Sequence, residues 1–480
     1  MPMNDIVPEV VSEIDRRAAL CARVFLLAAV PIMLVLAFLI GPFGAADERE
    51  HFLRAVGIAS GAIVPEVSYD ARIKRKEKRV AGARIDTAAI SVADKAALSQ
   101  EIKQEQVNPH YRMPRADFAA RLSFHQTGKR AFAEHNNTAL YSPLLYFGPV
   151  IGIELSSLLD LPVFTWMYVG RVANVLLAGA LIWWGIRRSR GSAPLLLVAG
   201  TLPIVLFQSA TVSADALLLP ITIMFAAILS RWADRAVISR NDLLLLSAGT
   251  LVIAVGKVAY LPLAILPPLI AAIVDRRWSP RLTLLLCVSL VAVVLWAAWA
   301  YFVRDKVFSM LDDIVVNPAG QLRQMIDHPV RTVVIFVHTM KTQIVRLLLT
   351  STGSLLGNLT IRLPAFFGPA SLLVLAIASV TSLGIVRRPL AVAIVAAGIA
   401  LTCYVVIYLL LYLQFNAIGS PWVNGAQGRY LTPLMVVVLA LLPGLVIRTA
   451  WSDRLLAVLI GWSGLSCLLT LWAVLHRYWL

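Results

Sequence analysis

Long apolar stretches alternate with short polar junctions along most of this 480-residue chain. A membrane-spanning helix needs about 20 predominantly apolar residues. Eleven stretches approach this description. They cover residues 19–40, 163–186, 193–212, 215–230, 242–258, 259–274, 281–303, 366–386, 390–413, 431–448 and 455–475. The pattern therefore predicts an all-α polytopic membrane protein with about eleven transmembrane helices.

Basic residues mark alternate junctions between these stretches. Arg16, Arg17 and Arg23 surround the start of the first span, which predicts a cytoplasmic N-terminus because Lys and Arg concentrate in short cytoplasmic segments. Every second later junction holds clustered arginines. The clusters lie at 187–190, 231–235, 275–281, 387–388 and 448–454. Eleven spans place all five clusters in the cytoplasm and the C-terminus outside it.

The composition agrees with a membrane protein. Hydrophobic residues make up 59% of the chain and charged residues only 15%, whereas soluble domains carry about 25% charged residues. These values exclude the secreted, fibrous and disordered classes. The net charge of +16 is explained by cytoplasmic junctions, so it does not imply a nucleic-acid partner. The four cysteines lack paired spacing, which argues against a disulfide framework or a zinc site.

Five regions follow from this division of the chain. They are the N-terminus with the first span (1–40), a large extracytoplasmic loop (41–162), spans two to seven (163–303), a second extracytoplasmic loop (304–365) and spans eight to eleven (366–480). Two apolar stretches, 140–158 and 330–350, are expected to lie at the interface, because either one crossing alone would invert the later arginine clusters. The first loop also carries a basic run at 72–79.

An acidic segment follows the first span directly. Asp47, Glu48, Glu50 and His51 could supply a general base at the mouth of a helix. The alternative is a set of ordinary loop charges at a helix start, where the helix dipole favours acidic residues.

Three further polar groups are predicted on the same extracytoplasmic side. Each has a structural alternative: Asp215 as part of a helix cap, Lys257 as a snorkelling side chain, and Arg429 as an interfacial anchor. Their polar neighbours are Tyr260, Gln427 and Tyr430. A carboxylate that faces lysine and arginine could deprotonate a hydroxyl while the cations stabilise a departing phosphate. The sequence contains no P-loop, no dinucleotide-binding glycine motif and no His or Cys set with metal-ligand spacing.

Five segments resemble a family of bacterial membrane proteins described as domain of unknown function 2142. They are DEREHFLRA (47–55), YSPLLY (141–146), the GRxxN of Gly170, Arg171 and Asn174, SADAL (213–217) and GAQGRYLTP (425–433). The chain departs from the family pattern at Arg49, where proline is usual.

That family in turn resembles the GT-C glycosyltransferases, which take sugars from polyprenyl-phosphate donors on the outer face of the membrane. The resemblance implies that Asp47 or Glu48 is the catalytic base and that Lys257 and Arg429 hold the lipid phosphate. The wider set of candidate binding residues is Glu50, His51, Arg54, Arg171, Asp215, Lys257, Tyr260, Gln427, Arg429 and Tyr430.

The expected function is therefore an inverting transfer of a hexose or pentose to a cell-envelope glycan or glycolipid. The protein would be a multi-pass protein of the bacterial inner membrane. Its expected partners are the lipid-linked donor, the acceptor and membrane lipids, with no nucleic acid. No cofactor is firmly implied, although some GT-C enzymes use a divalent metal beside the acidic pair.

Two alternatives stay open at this stage. A transporter or flippase for an envelope lipid would need polar residues through the bilayer midplane and broken helices there. A non-catalytic assembly factor for envelope polysaccharide is the other. The clustering of ionisable residues toward one membrane face favours chemistry at that surface over transport.

Overall fold

A computed structural model describes residues 8–70, 78–95, 124–308, 316–380, 388–444 and 449–480. Residues 72–77 of the basic run, and Arg387 and Arg448 of the predicted cytoplasmic clusters, lie outside the described residues. The described chain is mostly helical, with two small antiparallel sheets. It is an all-α polytopic membrane protein.

The α-helices are numbered here in chain order. They are α1 (Pro8–Val24), α2 (Val30–Leu39), α3 (Glu48–Ala59), α4 (Thr87–Lys95), α5 (Phe147–Leu158), α6 (Val163–Arg188), α7 (Ala193–Gly200), α8 (Pro203–Ser209), α9 (Asp215–Ala233), α10 (Arg240–Gly256), α11 (Leu266–Asp275), α12 (Pro280–Val303), α13 (Pro318–Asp327), α14 (Pro329–Ser351), α15 (Phe367–Val380), α16 (Leu390–Phe415), α17 (Thr432–Leu441) and α18 (Thr449–Tyr478). A π-helical turn, Phe25–Ala29, joins α1 to α2. The 3-10 helices are Asn136–Thr138, Pro143–Tyr146, Arg190–Ser192, Val258–Ile265 and Gly428–Tyr430.

Within the described residues, eight helices are long and apolar enough to cross a membrane. They are Glu13–Leu39, Val163–Arg188, Asp215–Ala233, Val258–Asp275, Pro280–Val303, Pro329–Ser351, Leu390–Phe415 and Ser452–Tyr478. Seven of these correspond to predicted spans. The predicted spans at 242–258, 366–386 and 431–448 instead contain the shorter helices α10, α15 and α17.

The predicted span at 193–212 is interrupted. Its two halves, Arg190–Gly200 and Pro203–Ser209, are bent by 72°. Pro203 explains the break, because a proline disfavours helical geometry in the residue before it and offers no backbone N–H. The segment still runs through the bundle, since Ser192 lies near Arg388 at one end and Val212 near Glu48 at the other.

Arginines join several helices at one end of the bundle. Arg388 donates two hydrogen bonds to the carboxylate of Asp234 (2.7 and 3.0 Å), and Arg188 donates to Asp242 at 2.8 Å. We call this group, with Arg17 and Arg231, the arginine layer. It unites clusters that the sequence assigned to one side of the membrane, which supports that assignment.

The first and last spans run in the same direction. At the arginine layer, Arg17 donates to Asp453 at 2.7 Å. At the opposite end, the indole of Trp479 donates to the carbonyl of Leu39 at 2.8 Å. The N-terminal and C-terminal helices therefore begin at one end of the bundle and finish at the other, as an odd number of crossings requires.

Helix α14 satisfies the length and apolarity of a span, although the sequence places 330–350 at the interface. One end contacts the connection between α16 and α17, where Arg331 donates to the carbonyl of Gly419 (3.4 Å), and the other contacts the start of α17, where Thr432 donates to the carbonyl of Ser351 (2.7 Å). Its interfacial position stays a prediction. The other demoted stretch contains α5, whose 12 residues extend only about 18 Å.

The first predicted loop contains a small sheet that the sequence did not predict. Strands β1 (Glu66–Tyr69), β2 (Arg79–Asp86) and β3 (Arg130–Glu134) pair antiparallel in that order. A two-residue pair, β4 (Leu355–Leu356) and β5 (Ile361–Arg362), forms the second sheet. Helix α3 packs closely on β2, because Gly57 lets it approach: a Cβ there would lie 3.1 Å from the Cβ of Ala83. The sheet therefore supports the helix that follows Asp47.

Candidate functional site

Four charged side chains meet at the bundle end opposite the arginine layer. Lys257 Nζ lies 2.6 Å from Asp215 Oδ1, and Arg429 Nε lies 3.6 Å from Asp215 Oδ2. Arg429 Nη2 also lies 3.5 Å from Asp47 Oδ2. We call these four residues the ionic cluster. They come from four segments of the chain: the start of α3, the start of α9, the end of α10 and the 3-10 helix before α17.

The length of α9 gives the depth of the ionic cluster in the membrane. Asp215 begins this helix and Asp234 directly follows it, so the two carboxylates are separated by about 28 Å along the axis. A bilayer's hydrocarbon core is about 30 Å thick. The cluster and the arginine layer therefore lie near opposite boundaries of the apolar region. Residues 216–230 between them contain no ionisable side chain.

Arg429 has unused donor capacity. Its side chain is only 7% exposed, and its Nε finds no hydrogen-bond partner among the described residues. Its contacts with Asp47 and Asp215 are longer than a charge-assisted hydrogen bond of about 2.7–2.9 Å. The guanidinium is thus held between two carboxylates without the paired bonds that an arginine fork can make. An oxyanion with tetrahedral oxygens could accept those bonds.

Asp47 is the accessible carboxylate of the cluster. Its side chain is 36% exposed, whereas that of Asp215 is 5% exposed. Asp47 adopts left-handed backbone geometry (φ 59°) immediately before α3, and the amide of Asn137 donates to its Oδ1 at 3.0 Å. One carboxylate oxygen is therefore oriented by Asn137, while the other faces Arg429. The sequence reasoning missed Asn137, which carries no signal except its nearness to the segment beginning at Tyr141.

Glu48 lies in a different environment from Asp47. Arg171 donates to both of its carboxylate oxygens (2.8 and 2.7 Å), and both side chains are fully buried. The backbone N–H of Val212 adds a third hydrogen bond at 2.9 Å. All of these partners hold the carboxylate in place. The prediction that Glu48 acts as the base remains untested, but this geometry favours a structural role that fixes the start of α3.

Arg171 also joins the first span to the site. Its guanidinium donates to the carbonyls of Ala37 (3.0 Å), Ile40 (2.7 Å) and Gly41 (2.9 Å), which are the last groups of α2 and its exit. One turn further along α6, Asn174 donates to the carbonyl of Thr211 at 2.8 Å. The two polar residues of GRxxN therefore hold α2, α3 and the segment leading into Asp215 in a fixed arrangement. These contacts give Arg171 a positioning role, and its predicted part in binding substrate stays a prediction.

Tyrosines border the cationic part of the cluster. Lys257 Nζ lies 5.1 Å from the ring centroid of Tyr141 and 5.6 Å from that of Tyr430. The hydroxyl of Tyr260 donates to the carbonyl of Tyr430 at 2.9 Å and so secures the segment that carries Arg429. Aromatic faces attract cations at these distances. The tyrosines hold Lys257 and Arg429 near each other despite their like charge.

His51 is buried beside the cluster in its neutral form. Burial lowers the pKa of His51 to about 3; Asp47 opposes this shift, while Lys257 and Arg429 add to it. The ring shares a 2.8 Å hydrogen bond with the hydroxyl of Tyr146 and stacks on Tyr141. His51 therefore packs and orients the aromatic wall as a neutral imidazole.

Two other predicted binding residues have partners outside the cluster. Arg54 is fully buried and donates to the carbonyls of Ala62 (3.1 Å) and Ile63 (2.7 Å). Glu50 pairs with Arg49 at 3.1 Å, and burial raises the pKa of its carboxyl. These contacts stabilise α3 and its junction with the sheet. Their predicted role in binding substrate stays a prediction.

The glycines near Arg429 serve packing. At Gly428, a Cβ would lie 2.3 Å from Thr350 Oγ1 and 2.5 Å from the backbone nitrogen of Ser351, so this position faces the end of α14. Gly425 has a left-handed φ of 92°, and a Cβ there would meet Phe415 at 2.9 Å. Both glycines are therefore required by the packing of this segment. Gln427 precedes this turn and is half-buried.

The cluster is poorly suited to a metal ion. Among the residues that the structure describes, no group of three or more His, Cys, Asp or Glu side chains could hold one. Asp47 and Asp215 both contact Arg429, and its guanidinium lies between the two carboxylates. These residues instead fit an anion that binds the guanidinium and the ammonium group.

Residues 21–438 match a family described as predicted membrane protein (DUF2142). The chain belongs to this family. No curated protein and no solved structure matches it. In this DUF2142 protein, the five segments that carry the resemblance all contribute to the same region. Arg171 donates a hydrogen bond to Glu48, His51 and Tyr146 share a hydrogen bond, and Asp215 lies between Lys257 and Arg429.

Proposed function

We propose that this DUF2142 protein is a GT-C type glycosyltransferase of the bacterial inner membrane. It transfers a sugar from a polyprenyl-phosphate donor to an envelope glycan or glycolipid at the extracytoplasmic face. The observation that carries the proposal is the ionic cluster: the accessible carboxylate of Asp47 faces Arg429, and Asp215 holds both Arg429 and Lys257 at the same membrane boundary. The arginine layer at the other boundary supports the sidedness, because arginines concentrate on cytoplasmic ends.

The proposed reaction is a single displacement. Asp47 accepts the proton of an acceptor hydroxyl while that oxygen attacks the anomeric carbon of the donor. The bond from this carbon to the phosphate oxygen breaks, and the lipid phosphate departs with the electron pair. Arg429 and Lys257 stabilise the developing negative charge. The configuration inverts because attack and departure occur on opposite faces of the sugar.

Asp215 has a supporting part in this scheme. Each of its oxygens faces one cation, so it holds Lys257 and Arg429 within reach of the same phosphate. It is too enclosed to receive a proton from an acceptor hydroxyl. The difference in exposure between Asp215 and Asp47 supports Asp47 as the base in this scheme.

The distribution of ionisable residues favours chemistry over transport. A proton- or ion-coupled carrier needs ionisable groups along its path, whereas α9, at the centre of the bundle, has none between Asp215 and Arg231. The break at Pro203 is a feature that a transporter would share. In the proposed enzyme, the segment after this break instead leads to Val212, whose backbone N–H donates to Glu48 and helps to position it.

The test is a reconstituted transfer assay with a panel of polyprenyl-phosphate hexoses and pentoses and an envelope glycan extract as acceptor. Release of polyprenyl phosphate together with glycan labelling is expected from the wild-type protein. Asp47→Asn should reduce the rate by about 10²–10⁴-fold, the range that one general base contributes. Asp160→Asn is the matched control, since Asp160 is an exposed outer carboxylate away from the cluster.

A translocation assay in vesicles distinguishes the alternatives. Movement of labelled lipid across the bilayer without any transfer would replace the proposal with a flippase. Absence of both activities with every donor, in folded protein, would favour an assembly factor. Full transfer activity in Asp47→Asn would reject Asp47 as the base.

A further inference from the structure

An apolar groove of about 400 Å³ lies on the flank of the bundle. Its walls come from α5 and the preceding 3-10 helix, from α6, and from α9 and α10. On α9 the lining positions are Leu217, Ile221 and Met224, which share one helix face. On α10 they include Leu245 and Ala248. The groove is therefore a continuous cleft between helices.

One end of the groove lies close to the ionic cluster. Its lining residues Pro143 and Leu144 follow Tyr141, whose ring is 5.1 Å from Lys257 Nζ, and the next side chain, Leu145, packs against Gly256, the residue before Lys257. From Asp215 to Met224 the helix advances by about 14 Å. The groove thus descends from the charged site to about half the depth of a 30 Å hydrocarbon core.

The groove is open to the surrounding membrane. Leu144 and Phe147, which line it, are 42% and 58% exposed. Ile151 and Leu155 continue this exposed apolar surface along α5. No ionisable residue lines the groove among those that define it. A molecule could therefore enter sideways from the lipid phase with its apolar part in the groove.

We propose that this groove binds the hydrocarbon chain of a single-chain lipid whose phosphate lies at Arg429 and Lys257. The inference rests on the proposed function, because it gives the lipid part of the donor a place of its own. A single groove beside a single pair of cations suits a ligand with one hydrocarbon chain and one phosphate. A two-chain phospholipid would leave its second chain outside.

The two parts of the site contribute differently to recognition. Lipid tails are as apolar as leucine, so moving a chain from the bilayer into the groove supplies little hydrophobic driving force. The phosphate contacts therefore provide most of the affinity, and the groove orients the chain. Filling the groove should displace the chain even when the phosphate site is intact.

The test uses a photoreactive isoprenyl phosphate with a diazirine in the part of its chain nearest the head. The protein is reconstituted in lipid nanodiscs, and labelled positions are mapped by mass spectrometry. The same chain with a neutral alcohol head is the comparison probe. We expect the phosphate probe to label the groove walls on α9 and α10, and the alcohol probe to label exposed helices without preference.

Two substitutions fill the groove from opposite walls. Ala248→Phe changes an exposed position on α10, and Val150→Phe changes a half-buried position on α5. Either should remove groove labelling by the phosphate probe. Ala397→Phe is the matched control, because Ala397 is an exposed alanine of α16 that does not line the groove. Arg429→Lys should lower labelling by weakening the hold on the phosphate.

Equal labelling by the phosphate and alcohol probes would overturn the inference. Unchanged groove labelling in both filled variants, with the protein folded, would do the same. Labelling requires no sugar transfer, so the two proposals can fail separately. Specific groove labelling in a protein that transfers no sugar would retain the lipid-phosphate site and reject the transferase.

Discussion

The carboxylate of Glu48 is fully buried against Arg171, while that of its neighbour Asp47 is 36% exposed beside Arg429. The left-handed backbone of Asp47 separates the two side chains at the start of α3. Adjacent acidic residues thus have different surroundings. One is suited to hold the structure, and the other is suited to exchange a proton.

Glu48→Gln is expected to destabilise the folded protein. The substitution leaves Arg171 buried without its counter-charge, and breaking a buried ion pair in this way typically costs about 3–5 kcal/mol. A marked fall in the thermal unfolding temperature in detergent is the expected result. Asp47→Asn, one residue away, should unfold close to the wild-type temperature. Equal stability of the two variants would show that the buried pair is not what holds α3.

Arg429→Lys is expected to lose most of its affinity for polyprenyl phosphate while remaining folded. A lysine keeps the charge but cannot reproduce the planar fork of a guanidinium. Binding can be measured by the shift in unfolding temperature on adding the lipid phosphate. Arg331→Lys, at an exposed position of α14, is the control. Wild-type affinity in Arg429→Lys would return the residue to the class of interfacial anchors.

Gly428→Ala is expected to separate the 3-10 helix Gly428–Tyr430 from α14. Its methyl group would lie 2.5 Å from the backbone nitrogen of Ser351, so the segment must move. Overpacking of this kind costs about 1–3 kcal/mol. Because Arg429 is the next residue, transfer should fall as well as stability. Gly398→Ala, where a Cβ meets open space, should change neither.

Stability should fall as the pH is lowered from about 6.5 toward 3. Burial lowers the pKa of His51 and of His135 to about 3 in the folded protein, against about 6.5 in an unfolded chain. The unfolded state therefore binds more protons in this window, and each histidine contributes a slope of up to about 1.4 kcal/mol per pH unit. Above pH 6.5 this stabilisation is fully present.

The measurement is the unfolding midpoint at pH 7 and pH 5. Replacing both His51 and His135 by Gln should reduce the difference between the two midpoints. His125→Gln, at an exposed position, should leave it as in the wild type. Equal pH dependence in the double variant would assign the acid sensitivity to the carboxylates.

A reporter fused after Leu480 should be active only outside the cytoplasm. The first and last spans run in the same direction, so the C-terminus lies at the bundle end opposite Arg17 and Asp453. An alkaline phosphatase fusion tests this, with a fusion before Pro8 as the inverse control. An inactive phosphatase after Leu480, with the fusion protein present in the membrane, would require an even number of crossings.

The sequence predicts the helical membrane fold because long apolar stretches have a direct physical meaning in a bilayer. It also predicts residues of the ionic cluster, since Asp47, Asp215, Lys257 and Arg429 are polar groups at span ends. Which of them meet could not be predicted, because helix packing brings together residues hundreds of positions apart. The different surroundings of Asp47 and Glu48 could not be predicted either, because they depend on the left-handed backbone of Asp47 and on the position of Arg171.

The sheet in the first loop shows a second limit. Strand β2 has buried residues at successive positions from Val80 to Ala83 rather than a clean alternation. Its pattern therefore lacks the period of two that identifies a half-buried strand. The break in the predicted span at 193–212, by contrast, had a visible signal in Pro203.

The buried pair of Arg171 and Glu48 also bears on how the chain is made. Arg171 lies eight residues inside α6, about 12 Å from its first residue, and an unpaired arginine at such depth opposes membrane insertion. Its partners, Glu48 and the carbonyls of Ala37, Ile40 and Gly41, precede it in the sequence. They leave the ribosome first. When α6 reaches the translocation machinery, the counter-charge and the acceptors for its arginine have therefore already been synthesised, and the order of translation itself favours insertion of this helix.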